Sequence, residues 1–79
     1  GGVDMTEIDN QNLYTIYPNP VQNMLNIVGK DNMKINIYNS LGQKIYSVEG
    51  YNNIIIDASN WETGLYIIDI NNHFYKILK

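Results

Sequence analysis

The sequence predicts an all-β domain, a small antiparallel sandwich of about seven strands. Three observations carry that reading. Met33-Lys34-Ile35-Asn36-Ile37 alternates apolar and polar residues without a break, the period of a strand with one buried face. Turn-forming residues recur roughly every 8–12 positions from Leu13 onward. No window carries apolar residues at the spacing of an amphipathic helix.

The first strand is Leu13–Tyr17, aromatic and β-branched. Pro18 and Pro20 stop it, because proline has no N–H for a ladder. Met24–Val28 follows, with Leu25 and Ile27 on one face. Met33–Tyr38 turns Met33, Ile35 and Ile37 inward and Lys34 and Asn36 outward. Lys44–Val48, Asn53–Asp57, Leu65–Ile70 and His73–Leu78 complete the set.

The connections are short. Asn71-Asn72 is a two-residue hairpin loop, and asparagine accepts the positive φ that a type I′ turn demands. Asn39-Ser40-Leu41-Gly42 fits a turn that closes with Gly42 in the left-handed region, with a bulge beside it. Gly29–Asn32 and Gly50–Asn52 read as polar turns. The result is an Ig-like, Greek-key arrangement of two layers. Ile35, Ile37, Ile56, Tyr66 and Ile68 are its predicted core. Residues 1–12 are polar and acidic without periodicity and read as a flexible linker, leaving 13–79 as the folded domain.

Composition narrows the function classes. The 79 residues suffice for one small domain, and 44% hydrophobic content suffices for a core. Five lysines, no arginine and eight acids give a net charge of −3. No basic stripe is left to neutralise phosphates, so nucleic acid is not an expected partner. The chain has no cysteine, which removes disulfides, thiolate zinc sites and cysteine nucleophiles. No apolar run reaches the ~20 residues of a membrane-spanning helix. Gly1-Gly2 follows no start methionine and no signal peptide is visible, so the chain reads as a fragment of a longer protein.

No residue set announces catalysis, and no enzyme activity, metal or cofactor is expected. His73, the one histidine, stands beside the hairpin loop with no nucleophile or orienting acid in its local sequence. Asp57, Glu62 and Asp69 read as strand-end and solvent-facing acids. Asp4–Asn12 lacks the alternate oxygens and closing glutamate of a calcium loop. Tyr17-Pro18-Asn19-Pro20 fixes φ twice and makes a rigid corner. Trp61 reads as a core plug, and Gly64 relieves the backbone before the next strand. The seven tyrosines and one tryptophan fit the filling and rimming of a small sandwich better than a sugar platform.

Taken together, three spaced signatures resemble the C-terminal sorting domain, type A, of proteins exported by the type IX (Por) secretion system of Bacteroidetes. The first is Tyr17-Pro18-Asn19-Pro20 followed by Leu25-Asn26-Ile27. The second is Ile35-Asn36-Ile37-Tyr38 running into Leu41-Gly42-Gln43. The third is Ile56-Asp57, Trp61 and Gly64-Leu65-Tyr66, ending in Tyr75-Lys76-Ile77-Leu78-Lys79. Trp61 departs from the pattern, which has leucine there.

The resemblance covers 17–79 and implies a motif set of Tyr17, Pro18, Asn19, Pro20, Gly42, Gly64, Tyr66, Lys76 and Lys79. It implies an address carried by an upstream cargo domain and read in the periplasm by the type IX machinery. After outer-membrane passage a sortase cuts in the linker, and the cargo ends at the cell surface or in the medium. The domain is the substrate of that reaction. The face holding the final two strands and the Pro18–Pro20 corner is the expected recognition surface. The sorting reading requires Lys79 to be the natural C-terminus. The competing expectation is a fibronectin-like or carbohydrate-binding adhesive sandwich of a surface protein, which would show an exposed aromatic row.

Overall fold

The computed structural model describes residues 13–79, so the linker expected over 1–12 lies outside the described residues. The described chain is 66% strand and contains no helix. It forms β1 (Thr15–Tyr17), β2 (Met24–Tyr38), β3 (Lys44–Asp57), β4 (Leu65–Ile70) and β5 (His73–Leu78). All pairings are antiparallel, within one five-stranded sheet.

The expectation of about seven strands is therefore corrected to five, and an Ig-like Greek-key sandwich is not what the pairings describe. The predicted strands 24–28 and 33–38 are one strand, β2, and 44–48 and 53–57 are one strand, β3. The two segments read as polar turns are bends inside this long hairpin. Val28 pairs with Asn53 and Asn32 with Tyr51, so β2 carries Gly29–Asp31 where β3 carries only Asn52. Gly29 lets the bend close: a Cβ there would lie 2.7 Å from Tyr14 Cδ1 and 2.9 Å from Met33 Sδ. Asn52 takes φ 65° on the other strand. The excess on β2 is two residues, an even number, so the alternation of side chains survives the bulge. Leu25, Ile27, Met33, Ile35 and Ile37 all keep to the inner face and are buried. The first strand is also shorter than expected, Thr15–Tyr17 in place of Leu13–Tyr17.

β2 is the hub. β3 runs along one edge for its whole length. β1 takes residues 26–28 of the other edge, and β4 takes residues 35–38 of it. β5 then pairs with β4. Cross-strand partners share a face, so Ile16, Ile27 and Ile54 form one inward rung, and Val48, Ile35, Ile70 and His73 another. The buried side chains form one cluster, to which β2, β3, β4 and β5 all contribute. The five predicted core residues Ile35, Ile37, Ile56, Tyr66 and Ile68 are among them.

The hairpin loop is as the sequence predicts. Asn71 and Asn72 have φ 50° and 71°, and Ile70 pairs directly with His73. Asn71 does more than turn the chain. Its N–H donates to Lys34 O at 3.0 Å, and its Oδ1 accepts from Lys34 N at 2.9 Å. The side chain thus extends the β2–β4 ladder one step past the last paired residue.

Candidate functional site

Three backbone devices gather the motif residues at one end of the molecule. The first is the corner after β1. Both X-Pro bonds, Tyr17–Pro18 and Asn19–Pro20, are cis. Between the prolines Asn19 presents Oδ1 to Leu78 N at 2.9 Å, and Val21 N donates to Leu78 O at 2.8 Å. Both backbone groups of Leu78 are therefore satisfied by the segment that opens the fold. That contact caps the outer edge of β5, which no strand pairs, at its last residue.

The second device is the end of the chain. Lys79 N donates to Gly64 O at 2.9 Å and Gly64 N to Lys79 O at 3.4 Å, a one-residue continuation of the β4–β5 ladder. Gly64 has φ 153°, a region open to glycine and strained for other residues. The Lys79 ammonium turns back over the fold and donates to the carbonyl oxygens of Gln22, Ala58 (2.7 Å) and Ser59 (3.4 Å). Asp57 stands beside this ammonium. The Ser59 hydroxyl (2.6 Å) and amide (2.9 Å) both donate to its Oδ1. These bonds, with the Lys79 charge as a smaller cause, hold the Asp57 carboxyl below its ordinary 3.8.

The third device is the turn between β2 and β3. Asn39 Oδ1 accepts from Leu41 N and Gln43 N, both at 3.0 Å, and Gly42 N donates to Asn39 O at 3.0 Å. Gly42 adopts φ 84°, as the sequence predicts. A bulge follows: Tyr46 faces Ile37 and Lys44 faces Tyr38, leaving Ile45 as the extra residue. The turn holds Leu41 out in solvent at 81% exposure.

The turn and the loop before β4 face one another across a concavity of about 350 Å³. Ser40, Leu41 and Ile45 line one side, and Asn60–Tyr66 the other. Trp61 lies against Tyr66 with ring centroids 4.7 Å apart, and the Tyr66 hydroxyl donates to Glu62 O. That pair floors the groove, so Trp61 fills the core-plug role given to it. Gly64 joins groove to clasp, since it lines the one and pairs with Lys79 in the other.

The predicted site residues thus divide. Asn19, Gly64, Tyr66 and Lys79 are tied into one hydrogen-bonded end of the fold, with Pro18 and Pro20 framing Asn19. Gly42 shapes the turn that faces Gly64 across the groove. Tyr17 lies on the outer face of β1, opposite Asn26. Lys76 is exposed on β5, opposite Ile67, and borders a hollow between β1 and β5 with Asn19, Tyr14 and Tyr75. Lys79 does not face outward as Lys76 does. Although the Lys79 backbone continues the ladder by one residue, the carbonyls of two loops draw its ammonium inward.

Two residues of consequence escaped the sequence reading. Val21 is buried and carries the second bond to Leu78. Asn71 donates through Nδ2 to Tyr14 OH and to Asn32 O, each at 2.9 Å. Tyr14 in turn packs edge-on to Tyr75 at 6.3 Å and tilts against His73 at 5.9 Å. Burial, then the neighbouring Tyr14, pushes the Tyr75 phenol above its ordinary 10.0. A local window signals Asn71 only as a turn residue. Among the described residues no three His, Asp or Glu side chains gather as a metal set, and no helix is long and apolar enough to cross a membrane.

Residues 15–79, more than four fifths of the chain, match the model of a family described as the secretion system C-terminal sorting domain. The match begins at the first residue of β1. No curated protein and no solved structure matches the chain.

Proposed function

The chain belongs to the secretion-system C-terminal sorting domain family, the type IX sorting signals, and we propose that the machinery reads it as a folded surface made by the groove and its rim. The observation that carries this reading is convergence. Motif pieces separated by about half the chain meet at one end of the fold, where Gly64 belongs both to the clasp and to the groove. An unfolded address would need no such tie. In this reading Asn19, Gly64, Tyr66 and Lys79 build the surface, and the exposed Leu41 and Leu65 at the groove, with Lys76 on the neighbouring β5, are what a receptor touches. An upstream cargo travels with the domain through the periplasm to the cell surface or the medium. A sortase cuts ahead of β1, and the domain is the substrate of that cut, not its catalyst.

The test is a reporter placed behind a signal peptide and in front of residues 1–79, in a type IX-competent bacterium. The intact fusion should reach the surface or the medium. Leu41→Asp alters a side chain that holds nothing together, so the domain should fold as before while the reporter stays periplasmic. A Leu41→Asp fusion exported as well as the parent would move the recognised surface away from the groove. Retention of the intact fusion would favour the adhesive module instead.

A further inference from the structure

Among the described residues the longest strand edge left without a partner belongs to β3. β1 and β4 share one edge of β2, and Asn19 and Val21 close the outer edge of β5 at Leu78. Among the described residues β3 pairs with β2 alone, and no backbone hydrogen bond outside the ladders reaches Lys44–Asp57. Half of the backbone N–H and C=O groups of a long strand therefore face solvent, a template for another strand. Sheets guard such edges with charge. Between the bulge at Ile45 and the bend at Asn52, β3 carries only Glu49. Ile45, Tyr46 and Tyr51 are instead 40%, 40% and 69% exposed.

We infer that this edge is a self-association site, where β3 of a second copy pairs antiparallel about a two-fold axis through Val48. The straight segment fixes the register. Inner faces stay on one side only if the axis passes through a residue. An axis at Glu49 sets two carboxylates face to face, and one at Ser47 sets Ile45 against Glu49. An axis at Gly50 carries the ladder across the Asn52 bend. The axis at Val48 avoids all three. It sets Val48 against Val48 and lays the ring of Tyr46 over Gly50 of the second copy, which has no side chain to oppose it. Ser47 meets Glu49, and Ile45 meets Tyr51 at each end. The occupant is the chain itself because this edge complements itself without like-charge contact. The inference does not rest on the sorting reading.

About seven residues from each copy form a small interface, so the dimer should be weak, with a dissociation constant of about 10 µM to 1 mM. Sedimentation equilibrium of the intact chain across that range should show monomer and dimer. Amide NMR shifts should change on dilution in 45–51 and in no other strand. Ser47→Lys places a cation opposite Glu49 of the other copy twice per dimer and should tighten association by about fivefold. Ser47→Glu should weaken it by a similar factor. Both variants lose the 3.0 Å bond from the Ser47 hydroxyl to Asn36 Oδ1, so each is compared at equal folded content by circular dichroism. A chain monomeric throughout the range overturns the proposal. So does Ser47→Lys that weakens the dimer, or shift changes centred on 60–66 or β5.

Discussion

Replacing Lys79 tests whether the last side chain holds the fold or merely ends it. Its ammonium donates to the carbonyls of Gln22, Ala58 and Ser59. Bonds to a charged group contribute about 1.5–3 kcal/mol each when well formed. Two of these are; the third, at 3.4 Å, is marginal. The site is only half-buried, so in Lys79→Ala water replaces the ammonium on the freed carbonyls. The net loss should be about 1–3 kcal/mol. A chain of this length is stable by about 4–12 kcal/mol, so the change is easily read by urea unfolding. Lys79→Met keeps the stem and loses the charge, and should cost nearly as much, which assigns the effect to the hydrogen bonds rather than to packing. Lys76→Ala, on the open face of β5, should stay within about 0.5 kcal/mol. If Lys79→Ala and Lys76→Ala unfold at the same urea concentration, the inward ammonium contributes nothing and the reasoning fails.

Asn71→Gly keeps the positive φ and the backbone bond to Lys34 O but removes the side-chain bonds to Tyr14, Asn32 and Lys34 N, and should cost about 1–3 kcal/mol by denaturant titration. Asn72→Gly, whose side chain makes no such bonds, should change stability by about 0.5 kcal/mol or less. Ile37→Ala empties a fully buried position and should lower the unfolding free energy by about 2–5 kcal/mol; a loss under about 1 kcal/mol would put Ile37 on the wrong face. Asp57, held below 3.8, stabilises the fold above the ordinary carboxylate value, and this is lost as pH falls through its own lower one. Carboxyl NMR titration should show that value rising towards 3.8 in Ser59→Ala, which removes the larger of the causes.

The inner face of the sheet was legible because its period is local. Ile35, Ile37, Ile56 and Ile68 declare themselves within five-residue windows, and the inner side of a strand needs no partner to be named. Gly42 and the Asn71-Asn72 loop were legible for the same reason, since the demand for positive φ falls on the residue itself. Gly29–Asn32 and Gly50–Asn52 were misread because their composition states that the backbone departs from a regular strand, not whether it reverses. What decides is the pairing of Asn32 with Tyr51 and of Val28 with Asn53, which lets both strands bend at the same level and continue. The groove was illegible for a similar reason. Leu41 and Trp61 sit in segments with no local link, and only the antiparallel run of β2, β4 and β5 brings their ends together.

The same geometry governs how export variants are to be read. Asn19, Gly64, Tyr66 and Lys79 are each committed to bonds inside the domain. Leu41 and Lys76 make none of those bonds and are exposed. If the machinery reads a folded surface, a change in the first group removes export through loss of the fold. A change in the second can remove it with the fold intact. Export plotted against unfolding free energy should therefore fall on one curve for Lys79→Ala, Lys79→Met and Ile37→Ala. Leu41→Asp should drop below that curve at parental stability. A Leu41→Asp point on the curve would mean that the fold is all the machinery reads at this end of the molecule.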